Sequence, residues 1–125
     1  MKYLVDSNII IYHLNNESLA TNFLTKNYQD IAISIISYIE VLSFNFTDEE
    51  AIYVKELLSK FKIIDISMDI SHKAIENRQK KKIKLPDNLI LSTAIVYNLT
   101  LVTRNLKDFT SFDVNLYDPF NVQKY

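Results

Sequence analysis

The chain has 125 residues, a length that fits one core, and we expect a single domain over residues 1–125. With 48% hydrophobic and 23% charged residues, the composition is that of a folded globular protein. The lack of Cys excludes disulfides and thiolate zinc sites, and the lack of Gly excludes glycine-rich phosphate loops. Because the net charge is only −1, any contact with nucleic acid must come from a local basic patch.

The N-terminal residues and the apolar runs indicate neither secretion nor membrane insertion. Asp6 interrupts the first apolar stretch, which leaves it too short for a signal peptide. No apolar run approaches the roughly 20 residues that a membrane-spanning helix needs. We therefore expect a cytoplasmic protein with no membrane partner, and the lack of Cys suits a reducing compartment.

Short apolar runs alternate with longer segments of helical period, which is typical of βα units. In chain order, the pattern predicts a strand over 3–5, helices over 9–14 and 18–27, a strand over 31–34, a helix over 37–46, a helix from Thr47 with Ile52, Leu57, Leu58 and Phe61 on its apolar face, a strand over 62–66, helices over 68–82 and 85–98, a strand over 99–103, and a short edge strand over 114–117. This order predicts a three-layer α/β/α sandwich with a mainly parallel sheet of four to five strands.

Three acidic residues stand where such a sheet binds ligands, beyond the carboxyl ends of its strands. Asp6 follows the first strand, Glu40 lies in the first turn after the second, and Asp87 opens the helix before the fourth. If these carboxylates converge, their mutual repulsion needs a cation. Oxygen ligands without Cys or a nearby His favour Mg²⁺ or Mn²⁺ over zinc. The pattern predicts phosphodiester hydrolysis by a metal-activated water.

Each acid also has a structural alternative, and the sequence leaves these alternatives open. Residues 37–40 read as a capping box, and residues 47–50 repeat the pattern with no obvious chemistry. Asp87 can simply cap its helix. Asp6 is harder to explain in this way, because a carboxylate after a buried strand is costly unless it is paired or metal-bound.

Two groups of basic residues lie next to these acids in the sequence. The densest run stands just before Asp87 and consists of Arg78, Lys80, Lys81, Lys82 and Lys84. It is interpreted either as an RNA backbone contact or as a solvated helix end that favours the helix dipole. Arg104 follows the fourth strand, where it can bind a phosphate or pair with a site acid, and the sequence slightly favours the pair.

Four segments resemble, in order, the signatures of PIN-domain nucleases, and most closely those of the VapC-like toxins of toxin–antitoxin pairs. They are Val5-Asp6-Ser7-Asn8, Ser37-Tyr38-Ile39-Glu40-Val41, Leu85-Pro86-Asp87-Asn88-Leu89-Ile90 and Leu101-Val102-Thr103-Arg104-Asn105-Leu106-Lys107-Asp108-Phe109. The resemblance covers nearly the whole chain. It implies a PIN fold, divalent-metal endoribonuclease activity on an RNA substrate, a cognate antitoxin and a homodimer.

The resemblance also implies roles for individual residues. It assigns Asp6, Glu40 and Asp87 as the core acids that hold Mg²⁺ or Mn²⁺. Asn8 matches a position that supports the site by hydrogen bonding, and Thr103 matches the strand-end hydroxyl before the fourth acidic position.

The chain departs from the family pattern at that fourth position, where Asn105 stands in place of the common Asp. An amide oxygen can ligate a metal but brings no negative charge, and Asp108 can supply part of the missing charge. The departure motivates an alternative function, a PIN-like module that binds RNA or protein with weak or no catalysis. A phosphatase with Asp6 as nucleophile is disfavoured, because Asn8 stands where that mechanism generally has a second Asp.

Overall fold

Five short strands form one sheet at the centre of the computed structural model, which describes residues 1–121. The strands are β1 (Tyr3–Val5), β2 (Ile31–Ser34), β3 (Lys62–Ile64), β4 (Thr100–Val102) and β5 (Leu116–Tyr117). Their order is β3-β2-β1-β4-β5, and every neighbouring pair is parallel. The predicted parallel sheet is confirmed, and β5 lies at an edge as expected.

Six α-helices within residues 1–121 connect and cover these strands. They are α1 (Ser7–Leu14), α2 (Ser18–Asn27), α3 (Ile35–Leu42), α4 (Asp48–Ser59), α5 (Met68–Lys80) and α6 (Leu85–Tyr97). Polar side chains cap four of the N-termini, because they accept hydrogen bonds from backbone N–H groups that the helix leaves unpaired: Asp6, Ser34, Thr47 and Ser67. None of these helices is long and apolar enough to cross a bilayer.

The alternation of side chains along the strands divides the apolar core into two layers. Val5, Ile33 and Val102 face one side, where apolar residues of α1, α2, α3 and α4 cover them. Their neighbours Leu4 and Leu101 face the other side, together with Ala32, and are covered by α5 and α6. This arrangement confirms the predicted three-layer α/β/α sandwich.

Two predictions for the helices on the α1 side are wrong. The helix predicted over 37–46 is α3, which begins at Ile35 and ends at Leu42, because the Ser34 hydroxyl accepts from the backbone N–H of Ile36 and caps it. The sequence pattern places Ile52 on the apolar face of α4, yet the residue is 63% exposed. Val54 and Leu58 face the core instead.

A buried polar network joins α5 to the first turns of α6. The Asn77 amide donates to Asn88 Oδ1 (3.2 Å) and to Ser92 Oγ (3.1 Å), and the Asn88 amide donates to the Ala74 carbonyl (2.8 Å). Each side chain therefore has a partner, which is required of polar groups at this depth. Because Asn88 adjoins Asp87, the network fixes the turn that carries this acid.

We expect Leu101→Ala in the central strand β4 to lower the free energy of unfolding by about 2–5 kcal/mol, since it leaves a cavity in a fully buried layer. Urea denaturation measures this change. The control Ile52→Ala removes an exposed side chain and should stay within about 0.5 kcal/mol of the unmodified protein. Equal losses in the two variants would contradict the assignment of the core.

Candidate active site

The acidic residues lie at the carboxyl edge of the sheet, where the order of the strands reverses. From β1 the chain passes to β2 and β3 on one side, and β4 and β5 lie on the other. Open parallel sheets bind ligands at such a point. Asp6 stands there, as the residue that follows β1 and caps α1.

The Asp6 carboxylate is buried, with 5% of its surface exposed, and its two oxygens accept hydrogen bonds from three residues. Oδ1 accepts from the Ser7 backbone N–H (2.8 Å) and faces the Ser7 hydroxyl at 3.4 Å. Oδ2 accepts from Thr103 Oγ1 (2.9 Å) and lies 3.4 Å from the Asn8 amide nitrogen. Its orientation is therefore fixed from both α1 and the end of β4.

Burial raises the pKa of Asp6 from its ordinary value of 3.8 to about 6. The hydrogen bond from Thr103 opposes this effect, whereas the carboxylates of Asp87 and Glu40 add to it. Two acids that are remote in sequence thus lie near enough to disfavour the charge on Asp6. Perturbed carboxyl groups of this kind are concentrated at functional sites.

Glu40 points toward Asp6 and does not cap its helix. Its Oε1 accepts a hydrogen bond from the Ser7 hydroxyl at 2.6 Å, so Ser7 contacts both acids. The capping-box interpretation of residues 37–40 is wrong, because Ser37 lies inside α3, where it is fully buried. Residues 47–50 do form a capping box, with Glu50 Oε1 accepting from the Thr47 backbone N–H at 2.8 Å.

Asp87 lies in the first turn of α6, and its side chain does not cap that helix. The N-cap residue is Lys84, and no side chain there makes a capping hydrogen bond. Burial raises the pKa of Asp87, and the carboxylates of Asp108 and Glu40 raise it further, against the opposing effect of Lys84. Asp87 is therefore close to the same acidic group.

The segment after β4 brings Asn105 and Asp108 together. The Asn105 amide donates to Asp108 Oδ2 at 2.7 Å, and the Asn105 backbone N–H donates to Thr103 Oγ1 at 3.0 Å. Thr103 thus connects this segment to Asp6. The amide at position 105 occupies one oxygen of Asp108, whose charge acts on Asp87.

One polar atom at this rim lacks a partner within residues 1–121. Asn8 donates through its amide nitrogen to Thr103 Oγ1 (3.3 Å) and toward Asp6, yet its Oδ1 is buried and accepts no hydrogen bond. Across the described part of the chain, no three Asp, Glu or His side chains are gathered tightly enough to hold an ion.

Basic side chains border the acids on the α5–α6 side. A cavity of about 330 Å³ is lined by Arg78, Lys81, Lys82, Ile83, Lys84, Asp87 and Asp108. The predicted basic run therefore lies against the acidic group, except that Lys80 is not among the residues lining this cavity. Lys81 also donates to the Ser111 hydroxyl at 3.1 Å.

Arg104 lies on the other side of the acids and contacts two aromatic rings. Its guanidinium carbon is 4.1 Å from the centre of the Phe120 ring and 5.1 Å from that of Tyr12. Of the two sequence interpretations, the pair with a site acid is not found: within residues 1–121, the one ion pair joins Lys73 and Glu76.

Sequence reasoning missed the part that Ser7 plays at this site. The resemblance contains Ser7 within its first motif, yet nothing in the residue order indicates that its hydroxyl joins Asp6 to Glu40. That contact depends on how α1 and α3 pack, and spacing along the chain does not encode it.

Fold and site together define an α/β domain whose acidic group lies at the carboxyl edge of a parallel sheet, between basic side chains. The family model described as PIN domain matches residues 3–114. Ribonuclease VapC10 of Mycobacterium tuberculosis is 33% identical over 126 aligned positions, which cover 95% of this chain and 93% of that protein.

Two solved structures have the same fold and comparable sequence identity. A toxin–antitoxin complex from Klebsiella pneumoniae contains a chain that is 35% identical, with a TM-score of 0.86, and the match covers 97% of this chain and 100% of that one. VapBC2 from Rickettsia felis, bound to a DNA fragment from its promoter, gives 30% identity and a TM-score of 0.78 over 94% of this chain and 98% of the other. This chain belongs to the PIN-domain family, in its VapC branch.

The raised pKa of Asp6 predicts how the stability of the metal-free protein depends on pH. Below about 4 the group is protonated in the folded and unfolded states alike, and between about 4 and 6 the folded state binds more protons. In EDTA the free energy of unfolding should therefore fall as pH rises from about 4 to 7, by on the order of 2–3 kcal/mol. Urea denaturation at several pH values measures this change.

The matched variant for this prediction is Asp6→Asn, because the substituted side chain no longer titrates. We expect a flatter pH profile in the variant, with the smaller contribution of Asp87 remaining. If the free energy of unfolding had the same slope in both proteins between about pH 4 and pH 7, the pH dependence would not come from burial of the Asp6 carboxylate.

Proposed function

We propose that this chain is a divalent-metal-dependent endoribonuclease and the toxin of a toxin–antitoxin pair. The observation that carries the proposal is the buried carboxylate of Asp6, whose pKa is raised by burial and by the nearby Asp87 and Glu40. A basic cavity borders the same acids, which suits a polyanionic substrate. The relative from Mycobacterium tuberculosis, ribonuclease VapC10, supports the same activity.

The donors at this rim fit Mg²⁺ or Mn²⁺, because they are carboxylate and amide oxygens without sulfur or imidazole. Asp6, Glu40 and Asp87 would hold the cation, and the unpartnered Oδ1 of Asn8 gives the rim a further oxygen donor. When bound, the metal would act as a Lewis acid toward a phosphoryl oxygen and lower the pKa of the attacking water. A cation would also offset the repulsion that raises the pKa of Asp6.

The remaining residues of the rim orient these donors. Thr103 and Asn8 fix Asp6 through its Oδ2, in the way that residues behind a metal ligand usually do. We infer that Asn105 and Asp108 together replace a fourth acid. The neutral Asn105 amide donates a hydrogen bond to one oxygen of Asp108, and Asp108 supplies the negative charge. The Asp108 charge still acts on Asp87.

The basic residues on the α5–α6 side would hold the RNA backbone. Arg78, Lys81, Lys82 and Lys84 line the cavity that also contains Asp87. Lys80, which is exposed, would contribute only to the general field that attracts a polyanion. These contacts with phosphates carry no sequence information, so they position the RNA without selecting the cleavage site.

A cognate antitoxin is the proposed protein partner. Two solved neighbours of comparable identity are a toxin–antitoxin complex and VapBC2. Large apolar side chains on or beside α3 and α4 are more than half exposed, which suits a protein interface: Ile39, Phe44, Ile52 and Tyr53. A homodimer and a cytoplasmic location stay predictions of the sequence.

We predict that RNA cleavage requires Mg²⁺ or Mn²⁺ and falls below detection in Asp6→Asn. Thr103→Val, which removes only the hydroxyl that holds Asp6, should retain cleavage at a level reduced about 10–100-fold. The rate of cleavage of transfer RNA and of ribosomal RNA, with the metal or with EDTA, measures both effects.

Two glutamates provide a matched control for this experiment. Glu40→Gln should abolish most of the cleavage, whereas Glu50→Gln alters the capping box of α4 and should leave cleavage unchanged. Cleavage in EDTA, or full activity of Asp6→Asn, would contradict the ribonuclease proposal.

Asn105 supports a second candidate function, a PIN-like module that binds RNA or protein with weak or no catalysis. Calorimetry with Mn²⁺ separates the two functions. We expect one saturable Mn²⁺ site that disappears in Asp6→Asn and persists in Asn105→Ala, because the three acids supply the charge. The absence of acid-dependent Mn²⁺ binding would favour the non-catalytic module.

A further inference from the structure

Arg104 directly follows Thr103, whose hydroxyl holds Asp6, yet within residues 1–121 its side chain contacts aromatic rings and no acid. The preceding residue, Thr103, donates to Asp6 Oδ2 at 2.9 Å. The Arg104 guanidinium lies over the rings of Phe120 and Tyr12, whose own centres are 5.0 Å apart. Arg104 itself is exposed to solvent.

This stacking orients the guanidinium without neutralising its charge. A ring face attracts the cation and restricts the flexible side chain, so that less entropy is lost when a ligand binds. The N–H groups lie in the plane of the guanidinium and form a fork that matches two phosphate oxygens. An arginine held in this way suits an anion that approaches from solvent.

Phe120 has contacts of its own besides the one with Arg104. The Phe120 backbone N–H donates to Asp118 Oδ1 (2.9 Å), and the Asn121 N–H donates to the Asp118 carbonyl (3.1 Å). Pro119, which lies between Asp118 and Phe120, is buried. This turn fixes the backbone at Phe120, and the ring packs against the core on the α1 side, so Arg104 is not the sole contact that places the ring.

The two groups of cations lie on opposite faces of the sheet. Tyr12 and Phe120, which hold Arg104, pack on the layer that covers Val5 and Val102. The basic cavity is on the other face, where Ile83 packs with α5 and α6. The acids at the end of the central strand therefore lie between Arg104 and the basic α5–α6 connection.

We propose that Arg104, oriented by Tyr12 and Phe120, binds an RNA phosphate on the α1 side of the acids. The RNA chain then crosses the carboxyl edge of the sheet, with one phosphate bound by Arg104 and others bound in the basic cavity. This proposal rests on the proposed ribonuclease function. It makes Arg104 a substrate-positioning residue and gives Phe120 a role that acts through Arg104.

Cations on both sides also solve an electrostatic problem of the site. An RNA phosphate brought against Asp6, Glu40 and Asp87 is repelled by them, and the repulsion acts on neighbouring phosphates within a Debye length of about 10 Å. Positive charge on one face of the sheet alone would hold the RNA on only one side of the phosphate that lies at the acids. With Arg104 on the opposite face, the RNA segments on both sides of that phosphate are attracted, and the phosphate between them lies over the acids.

The test measures binding of a short single-stranded RNA pool of randomised sequence by fluorescence anisotropy. EDTA is present so that hydrolysis does not consume the probe, and the salt concentration is varied. In Arg104→Gln the slope of log K against log salt should become shallower by about 0.7, the value for one phosphate contact on a single strand. Affinity at low salt should fall roughly tenfold, as for one charge-assisted hydrogen bond.

Three further variants identify the cause of that loss. Arg104→Lys keeps the charge, so its salt slope should stay near that of the unmodified protein while its affinity falls. Lys62→Gln removes an exposed cation at the start of β3, the opposite edge of the sheet, and should leave the slope unchanged. Phe120→Leu should weaken binding in the unmodified background but not in Arg104→Gln, because the ring acts through the guanidinium.

A salt slope for Arg104→Gln equal to that of Lys62→Gln would overturn this proposal and leave the ribonuclease proposal intact. The same holds if Arg104→Gln lowers the melting temperature without changing the slope, since Arg104 would then only anchor the segment around Phe120. If the unmodified protein fails to cleave RNA with Mn²⁺ but shows the Arg104-dependent slope, the ribonuclease proposal fails and the binding path stands.

Discussion

The site depends on one costly arrangement, the burial of the Asp6 carboxylate at the end of the central strand. Burial and two neighbouring acids disfavour its charge, so the fold must hold it with donors from several elements. Ser7 supplies a backbone N–H from α1, and Thr103 supplies a hydroxyl from the end of β4. These donors fix the orientation of the carboxylate but only partly offset the cost of its charge, which a bound cation would reduce further.

Much of the fold could be predicted from the sequence because its periods are strong and local. Apolar runs of three or four residues mark each buried strand, and β1, β2 and α2 have the predicted bounds. The bounds of α3 could not be read in the same way. Ser34 and Ser37 are both suitable N-cap residues, and both are fully buried, so neither residue type nor burial decides between them. The helix starts after Ser34 because its hydroxyl accepts from the Ile36 backbone N–H, which leaves Ser37 inside the first turn.

The sequence predicts the candidate site as a set of residues but not as a set of contacts. The positions of Asp6, Glu40 and Asp87 after strands and at helix starts point to one edge of the sheet. Neighbouring carboxylates of this group add to the raised pKa of Asp6 and to that of Asp87. The ring contacts of Arg104 were not predictable, because Phe120 lies 16 positions away and meets it only through tertiary packing. Contacts of this kind depend on how the layers are stacked, and one sequence contains no period that encodes them.

The distribution of charge explains how a chain with a net charge of −1 can receive a polyanion. The cations beside the acids are divided between two faces: three lysines and Arg78 line the cavity at α5 and α6, and Arg104 is held on the α1 side. The acids occupy the strip between them, at the strand ends. A phosphate backbone placed across that strip is attracted at both arms and repelled at its centre, and a divalent cation bound by the acids would reverse the repulsion at the centre alone. Binding and cleavage would then be separable properties, since the basic side chains act on the flanking RNA phosphates and the acids act on the phosphodiester bond between them.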